Sequence, residues 1–254
     1  MALIDMMNIK KNNLKIIPCK FTLGEGLLVN EDMSCWVDIN KKKLAIYQND
    51  HLKLIKLKFI PSIVIKQDRN KVTLCSDSGI YQYEIKENLF QKITNSVPWN
   101  IEKYRTNDGG YCRGKFIIGT MHKINPERHK GSLYYLNNEN NFCNLNTNIH
   151  IPNTFIELDL GTILISDSLK GEIWKYSFDK KMNITKKKLW HKFESDVAPD
   201  GGCMIKDKIY IALWDASKII IFSKEGKIID ELHLPVKRPT NCKHDIKYNR
   251  LWVT

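Results

Sequence analysis

One small unit recurs along this chain. It is a short apolar strand, a turn carrying Asp, Ser or Gly, and a second strand with an aromatic residue near its end. Ala198 to Ser223 shows it most fully: a polar turn at Pro199-Asp200-Gly201-Gly202, then Ile209-Tyr210-Ile211-Ala212-Leu213, then Ile219-Ile220-Ile221-Phe222. Earlier copies are Cys35 to Ile39 with Lys43 to Tyr47, and Val72 to Ser76 with Gly79 to Tyr83. Two more are Phe116 to Met121 with Gly131 to Leu136, and Ile163 to Ser168 with Gly171 to Tyr176. A sixth begins at Leu251-Trp252-Val253-Thr254. Alternating or short Ile-, Leu-, Tyr- and Phe-rich runs read as strands, and long helical periods are absent.

Copies follow one another at roughly 40–48 residues, the length of a four-stranded propeller blade. A few strands cannot bury both faces alone, whereas blades stacked around an axis bury them and leave only short edges. The fold class expected is therefore all-β: a six-bladed β-propeller in a single domain over residues 1–254. A β-sandwich, the other candidate, has no reason to repeat at this period. Because the sixth copy shows one strand and no partner, the sixth blade is expected to be incomplete. The chain is then truncated at its C-terminal end, or strands around Lys15 to Phe21 carry more of the closure.

Composition narrows the functional classes. A hydrophobic fraction of 43% over 254 residues is that of a globular chain with a sizeable core. No apolar run approaches the ~20 residues that span a bilayer, and the first residues lack the charged start and apolar stretch of a secretory signal. The formal charge of +12 comes from scattered lysines, such as Lys41 to Lys43 and Lys186 to Lys188, each cluster read as lying near a turn. No basic helix or nucleic-acid module accompanies it, which argues against nucleic acid as a partner while still attracting small anions. Seven widely spaced cysteines without a C-x-x-C pair fit a reducing cytoplasm, not a zinc site or a disulfide framework.

Oxygen donors stand in three turns ahead of strands: Glu25 in Gly24-Glu25-Gly26, Asn153 in Pro152-Asn153-Thr154, and Asp200 in Pro199-Asp200-Gly201. Equivalent turns of a propeller converge on one end of its channel. Two carboxylates and an amide suit a divalent cation, Ca²⁺ or Mg²⁺ by hardness, with Zn²⁺ or Mn²⁺ also compatible. The same residues also populate turns for purely local reasons. Arg105 and Asn107, two apart on an extended stretch, point to one side and suit the hydroxyls or carboxylate of a small substrate.

These motifs, in order, resemble a known family. Leu23 to Gly26 (LGEG), Arg105 to Gly109 (RTNDG), Gly119 to Met121 (GTM), Gly131 to Leu136 (GSLYYL), Asn153, Pro199 to Gly202 (PDGG) and Arg238 to Cys242 (RPTNC) are similar to the SMP-30/gluconolactonase/regucalcin family of six-bladed propellers. The likeness runs over about 21–254. It implies a lactone hydrolase, a monomer in the cytoplasm with a small-molecule lactone as its partner and neither membrane nor nucleic acid. It also implies one divalent metal ion held by Glu25, Asn153 and Asp200, with Asp200 doubling as catalytic base and Arg105 and Asn107 contacting substrate. A non-catalytic metal-binding propeller is the alternative.

Three departures bear on the site. Leu27-Leu28 follows GEG where the family has Pro and soon a Trp. Thr154 stands where the family has Gly, which would displace the Asn153 carbonyl if that position needs positive φ. His122-Lys123 follows GTM in place of an acidic residue, which favours an acidic ligand.

Overall fold

In the computed structural model, which describes residues 1–6, 14–94, 96–194 and 197–254, the chain forms six four-stranded antiparallel sheets. It opens with β1 (Ala2–Asp5) and β2 (Leu14–Ile16). Four strands each then build blade 1 from β3 (Gly24–Val29), β4 (Ser34–Asp38), β5 (Lys43–Gln48) and β6 (His51–Lys56). Blade 2 follows with β7 (Pro61–Gln67), β8 (Lys71–Ser76), β9 (Gly79–Glu84) and β10 (Leu89–Lys92). Blade 3 holds β11 (Tyr104–Cys112), β12 (Lys115–His122), β13 (Leu133–Leu136) and β14 (Phe142–Asn144). Blade 4 holds β15 (Pro152–Asp159), β16 (Thr162–Asp167), β17 (Glu172–Phe178) and β18 (Ile184–Lys192). Blade 5 holds β19 (Ala198–Ile205), β20 (Lys208–Trp214), β21 (Lys218–Ser223) and β22 (Ile228–His233). The chain ends with β23 (Cys242–Asp245) and β24 (Arg250–Val253).

The six-bladed propeller is as expected; the incomplete sixth blade is not. Its strand order is β2-β1-β24-β23, so both ends of the chain contribute. Leu3 pairs with Trp252 and Ile4 with Leu251, and β2 adds the outermost strand through Ala2 opposite Ile16. The strand at Leu251 therefore has a partner on each side, β1 and β23. Sequence order hid this because the partner lies at the other end of the chain.

The strand pairs legible in sequence are the middle strands of each blade. They face neighbouring blades on both sides, so their residues are buried almost without interruption, as in β4 and β16. Outer strands are polar: β18 carries Lys186, Lys187 and Lys188 within a strand, not near a turn, and most of it is exposed. A hydrophobic cluster fills every blade-to-blade interface. Met33, Val37, Val64 and Leu74 join blades 1 and 2, and Ile63, Cys75, Phe116 and Ile118 join blades 2 and 3. Ile117, Leu133, Ile163 and Tyr176 join blades 3 and 4, while Ile156, Leu164, Ile209 and Phe222 join blades 4 and 5. Ile4, Leu251, Tyr210 and Ile219 join blades 5 and 6. Leu3, Trp252, Leu27 and Trp36 close the ring between blades 6 and 1. All seven cysteines are free thiols, and among the described residues no helix is long and apolar enough to cross a membrane.

The closing strand contributes Ile4 to a packed interface, so Ile4→Ala removes buried methyl groups and leaves a cavity. The expected cost is about 2–5 kcal/mol, read as a lower midpoint in urea unfolding. A loss near zero would show that β1 lies outside the cooperative core.

Candidate functional site

The predicted ligands lie not in turns but on the innermost strands, β3, β11, β15 and β19. Each of these carries a β-bulge at the site. In blade 1, Glu25 pairs with Val37 and Leu28 with Cys35, so Gly26 and Leu27 face one residue, Trp36. In blade 3, Asn107 and Asp108 face Gly119; in blade 4, Thr154 and Phe155 face Ile165; in blade 5, Asp200 and Gly201 face Ala212. A bulge sets two residues against one, bends the strand and re-aims its side chains. Gly, Asp and Asn at these positions look like turn chemistry because the bulge needs the same backbone freedom. Gly26 makes the point: its φ is +59°, and a Cβ there would lie 2.4 Å from the Ile63 Cα of the next blade.

The bulges gather a polar cluster. Arg105 Nη1 donates to Asn107 Oδ1 at 2.7 Å. Asn107 Nδ2 donates to Asn153 Oδ1 at 3.0 Å and to the Pro152 carbonyl at 2.9 Å. Asn153 Nδ2 in turn donates to Ser168 Oγ at 2.8 Å, and Ser168 Oγ donates to the Pro199 carbonyl at 2.6 Å. The Gly201 N–H donates to Asp200 Oδ1 at 3.0 Å and orients that carboxylate. Glu25, Asn107, Asn153 and Asp200 are all buried, and Arg105 is half-buried. The five sequence-predicted residues therefore stand together, Arg105, Asn107 and Asn153 through hydrogen bonds, and Glu25 and Asp200 through their charges.

The cluster is crowded with negative charge. Burial, then Asp200 and Asp108, push the Glu25 carboxyl well above its ordinary range. Asp200 is pushed well up by burial and by Asp108. Asp108, given no role of its own within the RTNDG motif, is raised to about 6 by burial, while Lys243 and the N–H groups of Gly109 and Thr154 pull it back. Burial lowers Arg105 to about 10 against the pull of Glu25, Asp200 and Asp77, so it stays cationic at neutral pH. Carboxylates brought together out of water disfavour one another's ionised form, and a bound cation reverses that effect.

That chemistry fits the divalent cation implied by the resemblance. Glu25 and Asp200 supply carboxylate oxygens, and Asn153 Oδ1 keeps a lone pair beyond the one Asn107 engages. Among the described residues no group of three or more His, Cys, Asp or Glu side chains is arranged to hold a metal ion; the candidate set has two carboxylates and an amide. Asn241, quoted in RPTNC without a role, is also part of this neighbourhood. Its carboxamide packs so closely on Gly201 that a Cβ there would lie 2.3 Å from Cγ, and its buried Oδ1 has no hydrogen-bond partner among the described residues.

Two departures take on physical meaning. Thr154 does occupy positive φ, at +57°, the same bulge position as Gly26. Its hydroxyl donates to the Asp200 carbonyl and accepts from Ser166 Oγ at 3.1 Å, so the side chain that strains β15 also ties it to β19. Lys123 is not a free positive charge. It pairs with Asp77 at 3.3 Å and donates to the Ile101 carbonyl, while His122 Nδ1 accepts the N–H groups of Ile124 and Asn125.

A closed six-bladed propeller with a buried acidic cluster on its inner strands is the architecture that this chain presents for comparison. The chain belongs to the SMP-30/Gluconolactonase/LRE-like family, which it matches over residues 23–254. Relatives include the Cell growth-regulated gene 1 protein of Candida albicans, 28% identical over an aligned length of 224, which covers 77% of this chain and 65% of that protein. The 6-deoxy-6-sulfogluconolactonase of Pseudomonas putida is 25% identical over 168 residues, 64% of this chain and 57% of that enzyme. The chain thus spans less than two thirds of the length of either relative. Among solved structures, the calcium-binding regucalcin of Agrobacterium tumefaciens superposes with a TM-score of 0.80 at 21% identity, covering 87% of this chain and 78% of that one; the likeness is one of fold.

Thr154 makes opposing contributions that substitution separates. Thr154→Val keeps the strained β-branched shape and loses the hydroxyl, so it is expected to destabilise by about 1–3 kcal/mol. Thr154→Gly loses the same hydrogen bonds and is relieved of about 1–2 kcal/mol of left-handed strain, so it should be the milder change. Urea midpoints check the order; the reverse order would show that the packing of the side chain outweighs the left-handed strain at position 154.

Proposed function

We propose that the inner-strand cluster is a metal-assisted lactonase site. The observation that carries this reading is the meeting of Glu25, Asn153 and Asp200 with Arg105 and Asn107 at bulges of four different strands. Family membership and the lactonase named among the relatives support it.

A divalent cation held by Glu25, Asn153 and Asp200 would supply Lewis-acid polarisation of the lactone carbonyl. The chain's own groups do the rest. Arg105 stays cationic and offers a planar fork of donors to substrate hydroxyls or carboxylate. Asn107 holds Arg105 on one side and Asn153 on the other, which fixes the geometry between substrate and ligand set. Asp200, oriented by the Gly201 N–H, accepts a proton from water as its oxygen attacks the carbonyl carbon. The ring C–O bond then breaks, and the proton passes to the departing alkoxide, leaving a hydroxy acid.

The Lys123–Asp77 pair favours one competing reading, a propeller that binds metal without turnover, because an acidic side chain that contacts substrate in some family members is replaced by a lysine already engaged. Hydrolysis of δ- and γ-lactones, measured with Ca²⁺, Mg²⁺, Mn²⁺ and Zn²⁺ in turn, separates the two. The lactonase reading expects turnover with at least one cation and a fall of about 10²-fold or more in Asp200→Asn. It also expects metal to raise the Tm of the parent protein by mass action, and much less so in Glu25→Gln. A Tm rise without hydrolysis by any cation would leave the binding propeller; neither effect, on folded protein, would overturn both.

A further inference from the structure

On the face where the inner strands begin, between blades 1 and 2, lies a pocket of about 730 Å³ that the lactonase reading does not use. Its walls include Phe59, Tyr81 and Phe90. Phe59 stacks on Tyr81 with ring centroids 3.9 Å apart and 16° between planes, and Phe90 meets Phe59 edge-on at 5.7 Å. Lys42, Lys56 and Lys58 stand around these rings. All three are exposed. The pocket's remaining charges, Asp77 and Lys123, neutralise each other at 3.3 Å. The lining as a whole therefore carries a positive excess of three around an aromatic wall.

The pocket is built rather than incidental. Asp77 is held by the Ile60 N–H at 3.2 Å, and the Trp99 indole donates to its carbonyl at 2.8 Å, so the wall shared with blade 3 is fixed. The Asp77 charge also acts on Arg105. An apolar surface of ring faces and edges takes a flat apolar body. Cationic side chains above it add attraction for an anion, and each also costs self-repulsion that an anion relieves.

We propose that this pocket binds a small organic anion with a flat apolar body, an aryl carboxylate or sulfonate in chemical class, with its ring against Phe59 and Tyr81 and its anionic group among Lys42, Lys56 and Lys58. The site is separate from the cation cluster and does not depend on what that cluster does.

The test is calorimetric titration of the whole chain with naphthalene-2-sulfonate, against 2-naphthol as the uncharged counterpart. Saturable binding of one sulfonate per chain is expected, stronger than that of the naphthol and weakened by salt. Because Lys56 and Lys58 are exposed, Lys56→Glu/Lys58→Glu should fold as the parent does, which an unchanged Tm verifies, and should weaken binding by about tenfold or more. Tyr81→Ala should weaken both probes. Asp200→Ala should leave sulfonate affinity unaltered. Absence of one-to-one binding, equal affinity of the sulfonate and the naphthol, or indifference to the charge reversal would overturn the proposal. So would loss of binding in Asp200→Ala, which would move the anion into the channel.

Discussion

The pairing of β1 with β24 is the contact on which the ring depends. A propeller blade is apolar on both faces, so each blade is stable only between two neighbours. Five interfaces can form in order along the chain; the sixth cannot, and without it two apolar faces stay in water. Here Leu3 and Ile4 cross from the first residues to pair with Trp252 and Leu251, and each feeds a different interface cluster. Leu3 packs toward blade 1 with Trp36 and Leu27, and Ile4 toward blade 5 with Tyr210 and Ile219. One four-residue strand therefore completes two interfaces at once through the alternation of its side chains.

Closure also makes the site possible. Glu25, Asn107, Asn153 and Asp200 come from four blades, and their convergence is set by the ring's curvature, not by any local motif. The bulges then supply what a regular strand cannot. They place polar side chains against the channel while the paired middle strands remain apolar. Glycine enters where neighbouring atoms leave no room: Gly119 could not carry a Cβ against Pro152 of the next blade, nor Gly131 against the Thr120 carbonyl of its own blade. Thr154 is the informative exception, because its hydroxyl bonds across to the very strand that carries Asp200.

The middle strands were legible in sequence because burial on both faces leaves an apolar run that little else produces. The outer strands were not, since a strand such as β18 with one solvated face reads as a charge cluster. Inner strands were misread for a different reason. GEG, PNT and PDG have turn composition, and a bulge at such a segment cannot be told from a turn without its partner strand. Sequence order nevertheless names five residues that the structure brings together, Glu25, Arg105, Asn107, Asn153 and Asp200, because polar residue types stay visible whatever element carries them. Asp108 and Asn241 escaped it. Asp108 was hidden beside Asn107 in the same motif, and Asn241 becomes distinctive only through its packing on Gly201 and its unpartnered oxygen.

The distribution of charge links these levels. The chain is strongly basic overall, at +12, yet its buried inner cluster holds three carboxylates and one guanidinium. Apart from Lys243, which donates to the Gly202 carbonyl beside the cluster, lysines stand on outer strands such as β18 and around the blade 1–2 pocket. Such an arrangement cannot arise from composition alone, since burying carboxylates together costs stability that solvent-exposed lysines are too screened to restore. On the proposed function, a divalent cation inside the cluster would offset that cost where it arises. The inner cluster is thus acidic and the surface around it basic. The Asp77–Lys123 pair lines the aromatic pocket, and the Asp77 charge also acts on Arg105.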